Sequence, residues 1–387
     1  MQTRHRIFCL AIALAALFGQ SYAEPAIVKE KDIVLYSDAR FYSAFPSIVQ
    51  RPDGELIVAF RRAPERQYFG EPNSNHTDPN SYLVLIRSND NAATWTSEPE
   101  LIFAHPFGGS QDPCMTQLRD GSIVCSSYGW AQLRGDAAEK FSESMRHGEF
   151  VFMGGYLLRS TDAGKSWSAP IIPPNVPGNV VKNVFNEPCP AYNRGPMWES
   201  RDGTLFWAIA SQTQLNPRIA ETHLLASRDG GLTWEYRTPI AQDEKASFNE
   251  TALIETQKGD LIAFMRTADF DDRTVMARST DGGKSFEKWI DTGFQGHPHC
   301  ATVLPDGRIL LVYGYRHAPF GIRARVLDPD ATNIKEVEEI ILRDDGGNSD
   351  LGYPWVTAMA DGKYLVVYYF NKENGTRHIA GSIVAVR

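Results

Sequence analysis

The chain has 387 residues, with 39 basic and 47 acidic side chains and a formal charge of −8. With no basic stripe anywhere, that balance excludes a partner recognised through nucleic-acid phosphates. The length alone allows two domains or more, but no Pro/Gly/Ser-rich linker or charge run divides the sequence, so one domain is expected.

In chain order, Arg4, His5 and Arg6 precede an apolar run from Ile7 to Phe18, and Ser21-Tyr22-Ala23 has small-x-small form. This reads as a secretory signal peptide over residues 1–23, with the fold starting at residue 24 and a secreted or periplasmic location. The apolar run is too short for a membrane span. Ile33-Val34-Leu35-Tyr36 follows as an unattached strand. Turn pairs then recur at Asp53-Gly54, Asp120-Gly121, Asp202-Gly203, Lys258-Gly259, Asp306-Gly307 and Asp361-Gly362, each leading into an apolar strand such as Leu56–Phe60 or Leu261–Phe264. Asp-Gly between apolar runs is a strong hairpin signal.

A second periodic signal runs out of phase with the first. Ser160-Thr161-Asp162-Ala163-Gly164-Lys165-Ser166-Trp167, Ser227–Trp234 and Ser279–Phe286 share one pattern, Ser-x-Asp-x-Gly-x-x-aromatic, and Ser88–Trp95 is a relative without the glycine. Asp bonds nearby N–H groups, Gly accepts positive φ, and the aromatic folds back onto the sheet. Asp328-Pro329-Asp330 holds the equivalent place in a fifth unit. The expected fold is all-β: a six-bladed β-propeller of four-stranded antiparallel blades, a single domain over residues 24–387. The sixth unit runs out of chain after His378–Val386, so Ile33–Tyr36 is expected to supply its outer strand and close the ring.

Beyond the signal segment the cysteines are Cys114, Cys125, Cys189 and Cys300. Export permits disulfides, but spacing does not decide whether Cys114 and Cys125 pair. No Cys/His spacing resembles a structural zinc site, so no metal or cofactor is expected. Polar residues flanking the hairpins should ring the axial mouth: Arg61, Arg62, Gln111, Asp112, Tyr128, Trp130, Glu187, Arg194, Glu250 and Arg266. Later in the chain His297, His299, Arg316, His317, Arg323, Arg325 and Tyr353 join them. Arginine presents a rigid donor fork matched to carboxylate, so a ring of them implies an anionic ligand. Pairing with Asp and Glu between blades is the competing explanation for any one of them.

The Ser-x-Asp-x-Gly-x-x-Trp turns resemble the Asp boxes of the sialidase (neuraminidase) superfamily, and three segments sharpen the likeness. Asn249–Glu255 followed by Leu261–Arg266 is similar to the segment carrying a catalytic Glu and a triad arginine. Gly352-Tyr353-Pro354 is similar to the nucleophile segment, and Gln111-Asp112-Pro113 to one with a sugar-contacting Asp. The resemblance implies an exo-acting glycoside hydrolase that cleaves a terminal acidic sugar from a glycan, with Tyr353 as nucleophile and Glu250 as its base. A sialoside carries its carboxylate on the anomeric carbon, and a neutral tyrosine avoids the repulsion an anionic nucleophile would meet. Arg266 and Arg323 would clamp that carboxylate, and Asp78 would be the acid/base. Asp112, Arg62, Trp130, His297, His299 and Arg316 are the further substrate-binding candidates. No membrane span and a monomer are expected.

Two departures stand out. The first triad arginine normally lies two residues before a proline, where this sequence has Ala44, and the Glu that supports it gives way to the tyrosines Tyr368 and Tyr369. Arg40, Arg61 or Arg62 would have to supply a substitute charge. A propeller lyase acting on uronic acids through His297, His299, Tyr353 and Arg323 is the first alternative. A carbohydrate-binding propeller without catalysis is the second.

Overall fold

The computed structural model describes residues 26–71, 76–133, 135–183, 185–372 and 375–387; the expected signal segment, 1–23, lies outside them. Among the described residues, six four-stranded antiparallel sheets form the six-bladed propeller expected. No helix among them is long and apolar enough to cross a membrane. The innermost strands of blades one to six are Phe41–Gln50, Gly109–Gln117, Trp198–Glu199, Ser247–Glu255, His299–Val303 and Gly352–Ala358. Blade six is completed by Ile27–Tyr36, which pairs with His378–Val386 in the register Ile33↔Gly381 and Tyr36↔Ile379. The closing strand is longer than the four-residue apolar run suggested, because Lys29–Asp32 stays paired despite being polar.

The Asp boxes staple neighbouring blades. In blade two, Ser160 Oγ accepts the Gly164 N–H at 2.8 Å and Asp162 Oδ1 accepts the Ser166 N–H at 2.9 Å. A Cβ on Gly283 of blade four would meet Leu224 of blade three at 2.8 Å, and its φ is +78°, so only glycine fits. The residue before the box serine reaches across to the next turn: Arg87 donates to the Ala163 carbonyl and Arg159 to the Gly230 carbonyl. In the box that lost its glycine, Ala92 adopts φ 67° in its place. Asp328 anchors a fifth box, accepting the Thr332 N–H at 3.1 Å.

Blades two and three depart from the regular plan. The outer strand of blade two, Arg146–His147, precedes its neighbour Phe150–Ser160 in the chain, and the inner strand of blade three is only two residues long. Cys114, Cys125, Cys189 and Cys300 are buried free thiols.

Candidate active site

A repeated backbone device aims side chains at the axis. Phe45, Asp112 and Tyr353 have φ of 58°, 37° and 53°, each precedes a proline, and each lies inside a register shift of its innermost strand. Proline removes a ladder N–H, so the strand bulges there and re-aims the side chain before it. Left-handed backbone at a non-glycine residue costs roughly 1–3 kcal/mol. Blade four bulges similarly, with the register shifting between Phe248 and Thr251 around Glu250. Arg194 of blade three ties blades one and six together: its guanidinium donates to the carbonyls of Phe45, Pro46 and Tyr353 at 3.3, 2.8 and 3.0 Å.

The result brings together groups far apart in sequence. The Tyr353 hydroxyl donates to Glu250 Oε1 at 2.5 Å, and Arg266 Nη1 donates to Glu250 Oε2 at 2.7 Å, with 3.5 Å from that nitrogen to the Tyr353 oxygen. Glu250 and Arg266 keep 12% and 23% of their side-chain surface, so a ligand can reach them. Burial pushes the Tyr353 phenol well up, and the Glu250 carboxylate beside it adds to the effect. Burial alone would also raise Glu250, but the Arg266 charge and the Tyr353 hydrogen bond outweigh it and hold the carboxyl down to about 2. The resting pair is a neutral phenol beside an ionised carboxylate.

Arg316 lies across the same ring, its guanidinium carbon 5.0 Å from the Tyr353 centroid, and donates to the Tyr369 hydroxyl at 2.8 Å. Arg266, Arg194 and Arg316 stand beside the tyrosine, and Arg323 does not. Arg323 points outward from the third strand of blade five, donating to the carbonyls of Ile322, Arg343 and Pro319 and pairing with Glu339 at 3.3 Å. The sequence match was misleading because neighbours alternate faces on a strand, whereas Arg316 sits in the loop that leaves the inner hairpin. Asp78 is also displaced from its expected role. Its carboxylate is held by Arg66 at 2.8 and 3.0 Å and by the Asn80 N–H, with no bond to Tyr353 or Glu250.

Asp112 is buried, accepts the Tyr128 hydroxyl at 2.8 Å, and is raised by that burial despite the nearby Arg194 charge. Trp130 packs on Phe152, centroid to centroid 4.9 Å, and Phe152 on Tyr192 at 4.4 Å. His297 Nε2 lies 3.4 Å from Asp272, which His317 also approaches at 3.2 Å. His299 contacts Thr274 Oγ1 at 2.8 Å, and burial holds it down to about 3, so it stays neutral.

The three proposed substitutes for the first triad arginine differ in fate. Arg40 pairs with Asp38 at the surface, and Arg62 stacks on Phe41 at 3.5 Å. Arg61 faces Ala44 in register and is fully buried, 5.3 Å from the Tyr42 ring and 5.6 Å from Phe45, with no hydrogen bond to its three nitrogens among the described residues. Phe45 fills the position beside Ala44, in edge contact with Tyr353, Tyr369 and His76. It was missed by sequence reasoning, although Phe45-Pro46 repeats the Asp112-Pro113 and Tyr353-Pro354 pattern. Asp350 was missed too, because it precedes the nucleophile segment without any motif. It accepts the Tyr42 and Tyr369 hydroxyls at 2.8 and 2.9 Å and Arg377 Nε at 2.9 Å.

A BNR repeat-like domain model matches residues 146–366, more than half of the chain. The chain belongs to the BNR repeat-like family. A protein of unknown function from Dyadobacter fermentans is 52% identical to this family member, with a TM-score of 0.91, covering 94% of this chain and 100% of that one. The Hadza microbial sialidase Hz136 is 19% identical at a TM-score of 0.61, over 88% of this chain and 65% of that one. A Trypanosoma rangeli sialidase is 15% identical at a TM-score of 0.62, over 93% and 60%. The fold of this BNR repeat-like protein is therefore sialidase-like. No curated protein matches the chain.

Proposed function

We propose that this protein is an exo-acting, retaining glycoside hydrolase that releases a terminal acidic sugar of the sialic-acid type from a glycan. The observation that carries this reading is the 2.5 Å bond from Tyr353 to Glu250, with Arg266 on the other carboxylate oxygen. In the first step the phenolic oxygen bonds to the anomeric carbon while its proton passes to Glu250. The glycosidic C–O bond breaks with its electron pair on the aglycone oxygen, which takes a proton from a separate acid/base group. Glu250, ionised down to about pH 2, is ready to take that proton at every working pH, and the phenol remains neutral until attack begins. Water then displaces the tyrosyl oxygen, losing one proton to the same acid/base group, while the tyrosyl oxygen recovers its proton from Glu250. Two displacements retain configuration. Arg266 and Arg316 approach the same phenol, so the reading gives them the sugar carboxylate. Asp78 is paired with Arg66, and the reading assigns it no part in these steps.

A lyase would need a histidine base over the sugar ring. His299 is bound to Thr274 and His297 faces Asp272, which weakens that alternative. The test is a release assay across sialyl, deaminated sialyl and uronyl glycosides. Release of a saturated acidic sugar from one of them is expected. An ultraviolet-absorbing unsaturated product, or no release from any, would overturn the reading.

A further inference from the structure

The hydrolase reading leaves the acid/base group unassigned, and the loop that should provide one carries a group of different chemistry. Asp78 is consumed by Arg66, but two residues earlier His76 leans into the site. Its ring makes an edge contact with Phe45 at 4.8 Å and stands 6.4 Å, centre to centre, from the Tyr353 ring. Nearly half of its side chain, 46%, remains exposed, whereas Asp78 keeps only 3%. The Gln111 side-chain amide donates to the His76 carbonyl at 3.1 Å, which fixes the backbone from blade two.

The orientation of the imidazole is also set. His76 Nδ1 lies 3.4 Å from Asp350 Oδ1 and 3.4 Å from the Tyr42 hydroxyl. Asp350 is itself anchored by Tyr42, Tyr369 and Arg377, so it cannot swing to follow another partner. A carboxylate beside Nδ1 orients the ring through that nitrogen and turns Nε2 to the opposite edge. This is the arrangement of a histidine acid/base with an orienting carboxylate.

We propose, resting on the hydrolase reading, that His76 is the acid/base residue of the reaction and that Asp350 is its positioning residue. In the first step Nε2–H gives its proton to the glycosidic oxygen as the C–O bond breaks, and the aglycone leaves as a neutral alcohol. In the second step the neutral Nε2 takes a proton from the water that attacks the tyrosyl-bound anomeric carbon. The charged and titratable groups around the imidazole are Asp350, Arg377, Tyr42, Tyr353, Tyr369 and the buried Asp112. Asp112, buried and bonded to the Tyr128 hydroxyl, is the competing donor.

The test compares two glycosides of the same acidic sugar, a nitrophenyl glycoside whose aglycone leaves without protonation and a methyl glycoside whose aglycone does not. His76→Asn should lower kcat/KM on the methyl glycoside by roughly 10²–10⁴-fold and on the nitrophenyl glycoside by less than about 10-fold. His76 is half exposed on a loop, so an unchanged Tm should accompany the loss. Asp350→Asn should lower kcat/KM on the methyl glycoside more than on the nitrophenyl glycoside, a leaving-group dependence that mere loss of packing would not produce. Equal losses on both substrates, no loss on either, or leaving-group dependence appearing in Asp112→Asn instead of His76→Asn would overturn the proposal. A wild-type protein inert towards both glycosides overturns the hydrolase reading, and this inference with it.

Discussion

The two walls of the axial site are built on opposite principles. The wall from blades four and five is ionic, with Arg266 beside Glu250 and the phenol oxygen and Arg316 across the tyrosine ring. The facing wall, from blades one and six, is aromatic: Phe45, Tyr42 and Tyr369 stand where the likeness to sialidases leads one to expect an arginine and its supporting glutamate. Its charge is still present but withdrawn. Arg61 is sealed behind the Phe45 and Tyr42 rings, and Asp350 is enclosed by hydroxyls and Arg377. The difference teaches that, in the proposed reading, the Tyr–Glu pair and the arginines that would clamp a carboxylate are separable parts of one site. The Tyr353–Glu250 bond is present although aromatic rings stand on the facing wall, and on the proposed reading those rings would meet the sugar by contact and not by charge.

Breaking the ionic wall should have the largest effect. Glu250→Gln keeps the shape and removes the base, so kcat should fall by roughly 10²–10⁴-fold with little change in binding, measured by steady-state kinetics on the preferred acidic glycoside. Arg316→Lys keeps the charge but loses the planar fork, and KM should rise about 10–100-fold, the equivalent of one or two charge-assisted hydrogen bonds. Arg323→Lys provides the contrast. Its guanidinium is spent on carbonyls and Glu339, so kinetic constants should stay within about 3-fold while stability falls by about 1 kcal/mol. A larger kinetic effect at Arg323 than at Arg316 would reverse the placement of the clamp.

Acid sensitivity sharpens the same comparison at smaller scale. Burial holds His299 down to about 3 from an ordinary value of 6.5, so the unfolded chain takes up this proton first as pH falls. Glu250 is held near 2 from 4.5, so its stabilising contribution is present above about pH 4.5 and is lost as pH drops towards 2. Both act with the same sign: urea midpoints should decline from about pH 6.5 downward. His299→Asn should flatten the upper part of that decline, and an unchanged slope in that variant would contradict the buried neutral imidazole.

The rim and the axis were not equally legible in the sequence. Blade number, the Asp-box turns and the closing strand before residue 40 all follow from local rules, since a turn needs its own Asp, Gly and aromatic and nothing distant. Even the box without glycine could be read, because Ala92 adopts the conformation the turn requires. The axis obeys no such rule. Tyr353 and Glu250 were legible through likeness to a known pattern and Arg316 as a polar residue flanking a hairpin, but Phe45, His76 and Asp350 join them only once the ring has closed. The irregular segment between Ser168 and Met197 was illegible for the same reason, since Arg194 earns its place through bonds to blades one and six. The signal that was available and unused is the proline that follows Phe45, Asp112 and Tyr353 alike, which marks a bulge on the innermost strand.

The central claim is that Tyr353 attacks the anomeric carbon, and it can be tested directly by trapping the product of that attack. A fluorinated acidic-sugar fluoride, whose electron-poor ring slows the second displacement, should label the protein with one sugar, and peptide mass spectrometry should locate it. The account predicts the adduct on the peptide containing Tyr353, and its loss in Tyr353→Phe with the fold intact. An adduct on any other residue, or turnover of the natural glycoside by Tyr353→Phe at the wild-type rate, would contradict it.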